Sequence, residues 1–247
     1  SLLARDILIV EKEYERFVFQ NVRSEPVISL NNDFTAPFKI EYDQADHGFL
    51  MQFAKDVFVR YEATQKAAIS AIEMYTQNGE LDTRYIEEFG TILFDDKLGL
   101  EAKAFMLELP SLSVLMQEQH EIDIPPISKA LTIIKHAIAS RYREQLLILY
   151  KRYHRAQNSE LDTLSMGERA MKNVVLSYMM VLEDDDINTM CIRQYDESVT
   201  MTDRIVALDL LENFVPDLAQ TRLEHFYEKY KDDTLVMNKY LSVLSAS

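Results

Sequence analysis

Apolar residues follow two different patterns along the chain of 247 residues, and the change falls near residue 43. Residues 1–42 place aromatic and β-branched side chains in short stretches, which Pro26, Pro37 and the polar residues 31–33 separate. Such stretches are typical of β-strands. Roughly two to four strands cannot bury both of their faces by themselves. The pattern therefore predicts a short β segment that packs against a partner.

From residue 43 onward, apolar side chains recur every three or four residues, which is the period of an α-helix. The longest apolar face consists of Ile127, Leu131, Ile134, Ile138, Tyr142, Leu146, Leu149 and Tyr153. The helix that carries this face is predicted to begin at Pro125 and Pro126, because proline is favoured in the first turn. It would be about 40 Å long.

Shorter helices are predicted on both sides of this long one. Their ranges are about 46–77, 82–94, 100–107, 217–230 and 235–244. Ser165 and Glu168 have the spacing of a capping box, which predicts a helix start at Ser165. Thr200 and Asp203 predict another start, with Pro216 closing that helix.

Helices joined by short polar turns, without a strict repeat, describe either a helical bundle or an irregular α-solenoid. We favour a mainly α fold, an irregular solenoid of superhelical helix hairpins preceded by the β segment, because the helices follow one another with short links. The last predicted helix still carries apolar side chains, Leu235 and Leu241 among them, where a terminal repeat should be polar. The pattern predicts that the array continues beyond this chain.

Composition and charge then narrow the classes of function. Low glycine content, with 5 residues, disfavours nucleotide-binding folds, which need glycine-rich phosphate loops. A net charge of −15, from 41 acidic and 26 basic residues, makes nucleic acid an unfavourable partner. The chain lacks an apolar run of ~18 residues and the pattern of a signal peptide, so we expect no membrane partner. The single cysteine forms no internal disulfide, and cytoplasm is the expected location.

No residue pattern indicates local catalysis or metal binding. His120 and Glu121 begin like an H-E-x-x-H zinc motif, but Ile124 stands where the second histidine should be. The other histidines have neither metal-ligand spacing nor a triad arrangement; they are His47, His136, His154 and His225. Cys191 has the surroundings of a small buried apolar residue, and the acidic run 183–186 is interpreted as the start of a helix. We therefore predict no catalytic and no metal residue in this chain, and the substrate-binding residues stay unknown.

Several segments resemble the bacterial aminopeptidase N family, also called alanyl aminopeptidases, which are gluzincin zinc metallopeptidases. The segments are FVFQNV at 17–22, PVISL at 26–30, FTAPFKIEY at 34–42, LFDDKL at 93–98, LPS at 109–111, MTD at 201–203 and LVMNKY at 235–240. They occur in the order and spacing of the family. Thr35, Asn238 and Tyr240 stand where Ser, Asp and Trp are usual. The family's H-E-x-x-H and Gly-x-Met-Glu-Asn motifs do not occur in the sequence.

The resemblance implies a fragment from the C-terminal region of a zinc-dependent aminopeptidase that releases N-terminal amino acids from peptides. Residues 1–42 would be the terminal strands of a small β-sandwich domain, and residues 43–247 the N-terminal part of the helical C-terminal domain. The fragment would pack on the upstream catalytic domain as a helical wall that restricts access of peptide substrates. Zinc would be bound by the full-length enzyme and not by this fragment, which we expect to be inactive in isolation.

A protein of another class also fits the helical pattern. A stand-alone helical-repeat scaffold would use its concave face to bind a protein partner, as solenoids commonly do.

Overall fold

The computed structural model describes residues 5–37, 40, 46–117 and 123–246. Within these ranges the chain forms eleven α-helices. They are α1 His47–Phe53, α2 Val57–Asn78, α3 Thr83–Leu93, α4 Leu100–Leu107, α5 Leu112–Gln117, α6 Ile124–Tyr153, α7 Thr163–Met179, α8 Asp185–Glu197, α9 Met201–Phe214, α10 Pro216–Tyr230 and α11 Thr234–Ala246. Two short 3₁₀ helices, Asn32–Phe34 and Met180–Leu182, accompany them. The prediction of a mainly α fold is confirmed.

The predicted long helix is confirmed as α6, which has 30 residues and proline in its first turn. It departs from helical geometry at Tyr142, with φ −112° and ψ 18°. The Tyr142 hydroxyl donates a hydrogen bond to the Ile86 carbonyl of α3 at 3.0 Å. A Cβ atom at Gly90 would lie 2.2 Å from this hydroxyl. Glycine at position 90 therefore leaves the room that the Tyr142 side chain occupies between α6 and α3.

The single helix predicted at 46–77 is wrong, because α1 and α2 are separate helices. Ala54 is extended, with ψ 141°, and ends α1. Asp56 then caps α2, since its carboxylate accepts a hydrogen bond from the backbone N–H of Val59 at 2.9 Å. An aspartate that satisfies a free N–H of the first turn stabilises the new helix start.

The predicted capping box at Ser165 is also wrong. The cap of α7 is Asp162, whose carboxylate accepts from the backbone N–H groups of Leu164 and Ser165, both at 3.0 Å. The predicted start at Thr200 is confirmed, because its hydroxyl accepts from the Asp203 N–H at 3.3 Å. Pro216 lies beyond the end of α9, as predicted, and it also begins α10.

Helices that are neighbours in sequence pack on one another, as the pairs α1 with α2, α6 with α7, α8 with α9 and α10 with α11 show. Helix α7 lies at the centre, since it also packs on α4 and α9. Gly167 lets α4 approach α7 closely, because a Cβ atom there would lie 2.9 Å from the Leu100 Cβ. This arrangement gives α7 a buried surface around most of its circumference.

The structure does not show the predicted β segment, since residues 5–37 and 40 include no strand. Many of their apolar side chains are exposed; Ile7 is 87% exposed and Val18 is 71% exposed. Backbone groups of a strand need a second strand as partner, and the described part of the chain supplies none. The segment touches the helices at the start of α2, where the Phe34 and Phe58 rings lie 4.5 Å apart. Residues 1–4, 38–39 and 41–42 lie outside the described residues.

The last helix, α11, keeps part of its apolar surface exposed. Leu235 is 78% exposed and Leu241 is 56% exposed, whereas Val243 is buried. On the other side, the Tyr240 ring stacks on Phe226 of α10 with 5.9 Å between ring centroids. None of the described helices is both long enough and apolar enough to cross a membrane.

Candidate functional site

The four described histidines lie on different parts of the fold. His136 is exposed on α6, and His225 contacts the Tyr195 hydroxyl through Nδ1 at 2.9 Å. His47 is the first residue of α1, and burial lowers its pKa. His154 ends α6 and stacks on Tyr150 at 5.1 Å between ring centroids. His120 and its neighbour Glu121 lie outside the described residues.

Cys191 is buried in α8, as the sequence indicated. Its Sγ donates to the Ala207 carbonyl at 3.5 Å, and burial raises the pKa of the thiol to about 12. Because the thiolate is the reactive form, burial disfavours a role for Cys191 as a nucleophile.

The acidic runs have structural roles. Asp184 caps α8 by accepting from the backbone N–H of Asp186 at 2.9 Å, which confirms the interpretation of residues 183–186 as a helix start. Asp95 pairs with Arg60 of α2 at 2.9 Å and accepts from the Lys97 N–H, also at 2.9 Å. The LFDDKL segment at 93–98 therefore ties the end of α3 to α2.

The described residues contain no group of three or more His, Cys, Asp or Glu side chains arranged to hold a metal ion. The donor sets found in these ranges thus do not fit zinc, which takes at least three protein ligands in catalytic sites. We assign no zinc ligand and derive no metal-dependent step for this chain.

A closed group of polar side chains lies between α7, α8 and α9; we call Lys172, Asn173, Gln194 and Asp203 the polar cluster. The Lys172 Nζ lies 2.7 Å from the Asp203 carboxylate, and the two side chains are each 1% exposed. Asn173 donates to the same carboxylate at 3.1 Å. Gln194 donates to the Asn173 side-chain oxygen at 2.8 Å and to the Asp203 carbonyl at 3.1 Å. The cluster joins three helices through one buried charge pair.

Attraction between the charges of Lys172 and Asp203 stabilises the polar cluster. Burial lowers the pKa of Lys172, and the Asp203 carboxylate at 2.7 Å opposes that shift by favouring the ammonium form. Asp203 belongs to the MTD segment at 201–203 and also donates its N–H to the Thr200 cap of α9. The segment that resembles the aminopeptidase family thus performs a folding role here, since removal of either charge would leave the other buried without a counter-charge.

An open group of charges lies on a different surface; we call Glu108, Lys135 and Asp209 the charged surface group. Glu108 follows α4, Lys135 lies on α6 and Asp209 lies on α9. Glu108 is held by its backbone, whose carbonyl accepts from Gln65 of α2 at 2.9 Å. Lys135 interacts electrostatically with both carboxylates, but it forms no direct ion pair with any carboxylate that the structure describes.

The pKa values of all three members of this group are shifted by partial burial. Burial lowers the pKa of Lys135 and raises the pKa of both Glu108 and Asp209, while attraction between the opposite charges counteracts these shifts. Glu108 is nevertheless exposed to solvent, and Lys135 and Asp209 are half-buried. Such perturbed groups mark candidate functional positions, and this is the chain's candidate binding surface.

Sequence reasoning missed both groups. Lys172 and Asp203 are 31 positions apart and Lys135 and Asp209 are 74 apart, so only folding brings either pair together. One signal was available for Lys172. The run from 171 to 182 is apolar on every side of a helix, which indicates full burial of the lysine within it.

A family model described as "Domain of unknown function (DUF3458_C) ARM repeats" matches residues 44–247. The chain belongs to this family. The match covers all eleven helices. The solenoid prediction agrees with the repeats that the description of the DUF3458_C family names.

Relatives of this DUF3458_C chain carry the name that the sequence resemblance predicted. The chain is 25% identical to aminopeptidase N of Escherichia coli K12 over 98% of its length, and 24% identical to aminopeptidase N of Haemophilus influenzae over the same share. It is thus homologous to bacterial aminopeptidase N, which confirms the resemblance. The chain spans 28% of the length of each relative.

A solved structure shares the fold. The crystal structure of Legionella pneumophila aminopeptidase A in complex with aspartic acid matches 91% of this chain and 28% of that protein, with a TM-score of 0.80 and 24% identity. This similarity extends the fold assignment beyond sequence, since the helices superpose at low identity.

Proposed function

We propose that this chain is a helical section of a zinc-dependent aminopeptidase that releases N-terminal amino acids from peptides. One observation carries the proposal, namely the alignment of 98% of the chain with proteins named aminopeptidase N. The aligned part makes up only 28% of the length of each relative. The zinc site and the catalytic groups would then belong to another part of the longer protein.

The role of this section is that of a wall over the catalytic domain, which limits access to short or unfolded peptides and excludes bulk water. The fold supports this role because the helices pack into a continuous layer around α7. The charged surface group supports it too, since titratable groups with perturbed pKa values often mark functional positions. Zinc in the longer enzyme would supply the water that attacks the peptide bond, while this chain shapes the route of the peptide.

The domain division is part of the same proposal. Residues 43–247 would be the N-terminal part of the helical domain, and residues 1–42 the terminal strands of a small β domain that precedes it. The family match, which begins at residue 44, supports this boundary. Many of the apolar side chains of residues 5–37 are exposed in this chain. Large uncovered apolar patches mark interaction sites, so their exposure supports the proposal that the rest of the β domain covers this segment.

The central test compares the 247-residue chain with the longer protein that its reading frame encodes. Each is incubated with zinc and an aminoacyl-nitroanilide, and both nitroaniline release and bound zinc are measured. We expect turnover and zinc binding for the longer protein and neither for the 247-residue chain. Turnover with stoichiometric zinc by the short chain would refute the assignment of the site to another region.

A second measurement tests the wall. The longer protein should cleave short peptides and spare the N-termini of folded proteins of the same terminal sequence. Equal cleavage of both would contradict a wall that restricts access.

The rival function is a helical-repeat scaffold that binds a protein partner, which the ARM-repeat description of the family favours. The reading frame beyond residues 1 and 247 separates the two hypotheses. An upstream H-E-x-x-H supports the aminopeptidase, and a frame without one supports the scaffold. Cytoplasm stays the proposed location, supported by the single buried cysteine, and cell fractionation tests it.

A further inference from the structure

A cavity of about 310 Å³ lies between α6, the end of α7 and α8; we call it the α6–α8 cleft. Its apolar lining consists of Leu147, Met179, Ile187 and Met190, and charged side chains of α6 and α8 line its rim. Ligand pockets have volumes of about 300 Å³ or more, are mostly apolar, and contain a few polar groups that orient the ligand. The cleft therefore has the size and the composition of a site for a small ligand.

Two contacts between α6 and α8 hold the two ends of this cleft. At one end, Arg143 of α6 forms an ion pair with Asp184, the cap of α8. At the other end, the Tyr150 hydroxyl donates to the Met190 carbonyl at 3.4 Å. Positions 143 and 151 of α6 both line the cleft, and the eight residues between them correspond to about 12 Å along the helix axis. The cleft is thus formed before any ligand binds, and its long dimension is defined.

The two ends of the cleft carry opposite charges. Three aspartates, at 184–186, begin α8, and Arg143 pairs with the first of them. Asp186 lines the cleft and forms no ion pair with a basic side chain that the structure describes. At the other end, Lys151 lines the cleft, is exposed to solvent, and pairs with none of the described carboxylates. One carboxylate and one ammonium group can therefore each bind a ligand group of opposite charge.

An acidic end, an apolar lining and a basic end match the chemistry of a short peptide with free termini. The peptide's ammonium group can pair with Asp186, and its carboxylate can pair with Lys151. An extended peptide of three residues spans about 10 Å, which is close to the length of the cleft, whereas a single amino acid is too short to reach both ends. A ligand with two charges of the same sign would place one of them beside a like charge, which is unfavourable.

We propose that the α6–α8 cleft binds a tripeptide with an apolar central residue, whose N-terminal ammonium group contacts Asp186 and whose C-terminal carboxylate contacts Lys151. The central side chain packs on Met179 and Met190, because methionine is flexible and adapts to side chains of different shape. Binding here requires neither zinc nor turnover. The proposal therefore stands whether or not this chain is a section of an aminopeptidase.

An NMR titration of the 247-residue chain, labelled with carbon-13 in its methionine methyl groups, tests the site. The probe is the peptide Ala-Leu-Ala; its controls are the N-acetylated peptide, which lacks the ammonium group, and the C-terminal amide, which lacks the carboxylate. We expect Ala-Leu-Ala to shift the signals of Met179 and Met190 and to leave those of Met51 in α1 and Met106 in α4 unchanged. Each blocked peptide should bind about fivefold more weakly, the effect of one exposed ion pair. Unshifted signals of Met179 and Met190, or equal affinity for the free and blocked peptides, would overturn the proposal.

Two variants assign each end of the peptide to its partner. Lys151→Met should remove the difference in affinity between the free acid and the amide and keep the difference between the free and the acetylated N-terminus. Asp186→Asn should do the reverse. Lys129→Met, an exposed change on α6 outside the cleft, should keep both differences. Persistence of both differences in Lys151→Met or in Asp186→Asn would contradict the proposed contacts. If a variant fails to fold, which circular dichroism detects, the blocked peptides still decide with the native chain.

Discussion

Two lysines face two aspartates of the same helix, α9, and the pairs behave differently. Lys172 contacts Asp203 at 2.7 Å, and both are buried from solvent. Lys135 interacts with Asp209 only at longer range, and both are half-buried. A fully buried charge must have a close partner because burial without one is very costly. A partly exposed charge retains some water and can remain without a close partner, so the first pair serves the fold and the second is a candidate for binding a ligand.

The largest effect should come from Lys172→Met. This change leaves the Asp203 carboxylate buried without its counter-charge, and we expect a loss of about 3–5 kcal/mol in the free energy of unfolding. Urea denaturation followed by circular dichroism measures it. Lys129→Met is the matched control, since Lys129 is exposed on α6 and should change stability by about 0.5 kcal/mol at most. Equal effects of the two changes would show that the buried pair has no special weight.

The double variant Lys172→Met with Asp203→Leu should be more stable than Lys172→Met alone. It removes both charges, and a buried pair replaced by apolar residues is often tolerated. The two single variants and the double variant form a double-mutant cycle in urea denaturation. Additive losses would contradict a direct coupling between Lys172 and Asp203.

Lys135→Met should change the free energy of unfolding by only about 0.5 kcal/mol in either direction, as is usual for surface positions. The lysine has no direct ion pair with a described carboxylate, and burial already disfavours its charge. The same denaturation series provides the measurement. A loss as large as that of Lys172→Met would erase the difference between the two regions.

The smallest effect concerns the pH dependence of the charged surface group. Burial raises the pKa of Asp209 above its ordinary value of 3.8, so its favourable contribution is complete below that value and is lost as pH rises through the raised pKa. The Asp209→Asn variant does not lose this stability, because the asparagine side chain cannot ionise. Relative to the native chain, the variant should therefore gain stability as pH rises from about 4 to neutral. Carbon-13 NMR of the carboxyl group gives the pKa itself, and a value at or below 3.8 would contradict the assignment.

The helices that the sequence predicted well are those whose signals are local. Proline in the first turn marked the start of α6, and Thr200 marked the start of α9. The break between α1 and α2 was missed because apolar spacing continues across it. The predicted cap at Ser165 is wrong because the Asp162 carboxylate, three residues earlier, accepts from the free N–H groups of α7. Competing local partners of similar strength cannot be ranked without the folded geometry.

Local sequence signals could not predict the contacts between helices that are distant in sequence. Neither the polar cluster nor the charged surface group was predicted, because each joins side chains from three elements. The predicted β segment was not found in the described residues, where its strands have no partner to pair with.

By itself, the sequence determined a mainly helical chain, the ends of most helices and the resemblance to aminopeptidase N, since helical period, capping and family motifs are properties of nearby residues. Only the tertiary structure decided which charged side chains are buried in close pairs and which remain accessible to solvent. Burial depends on which helices meet, and the close packing of α4, α6 and α9 around α7 places Lys172 inside and leaves Lys135 at the surface. Lys172 and Lys135 have the same side-chain chemistry, but their surroundings place one in a buried ion pair and the other at the surface.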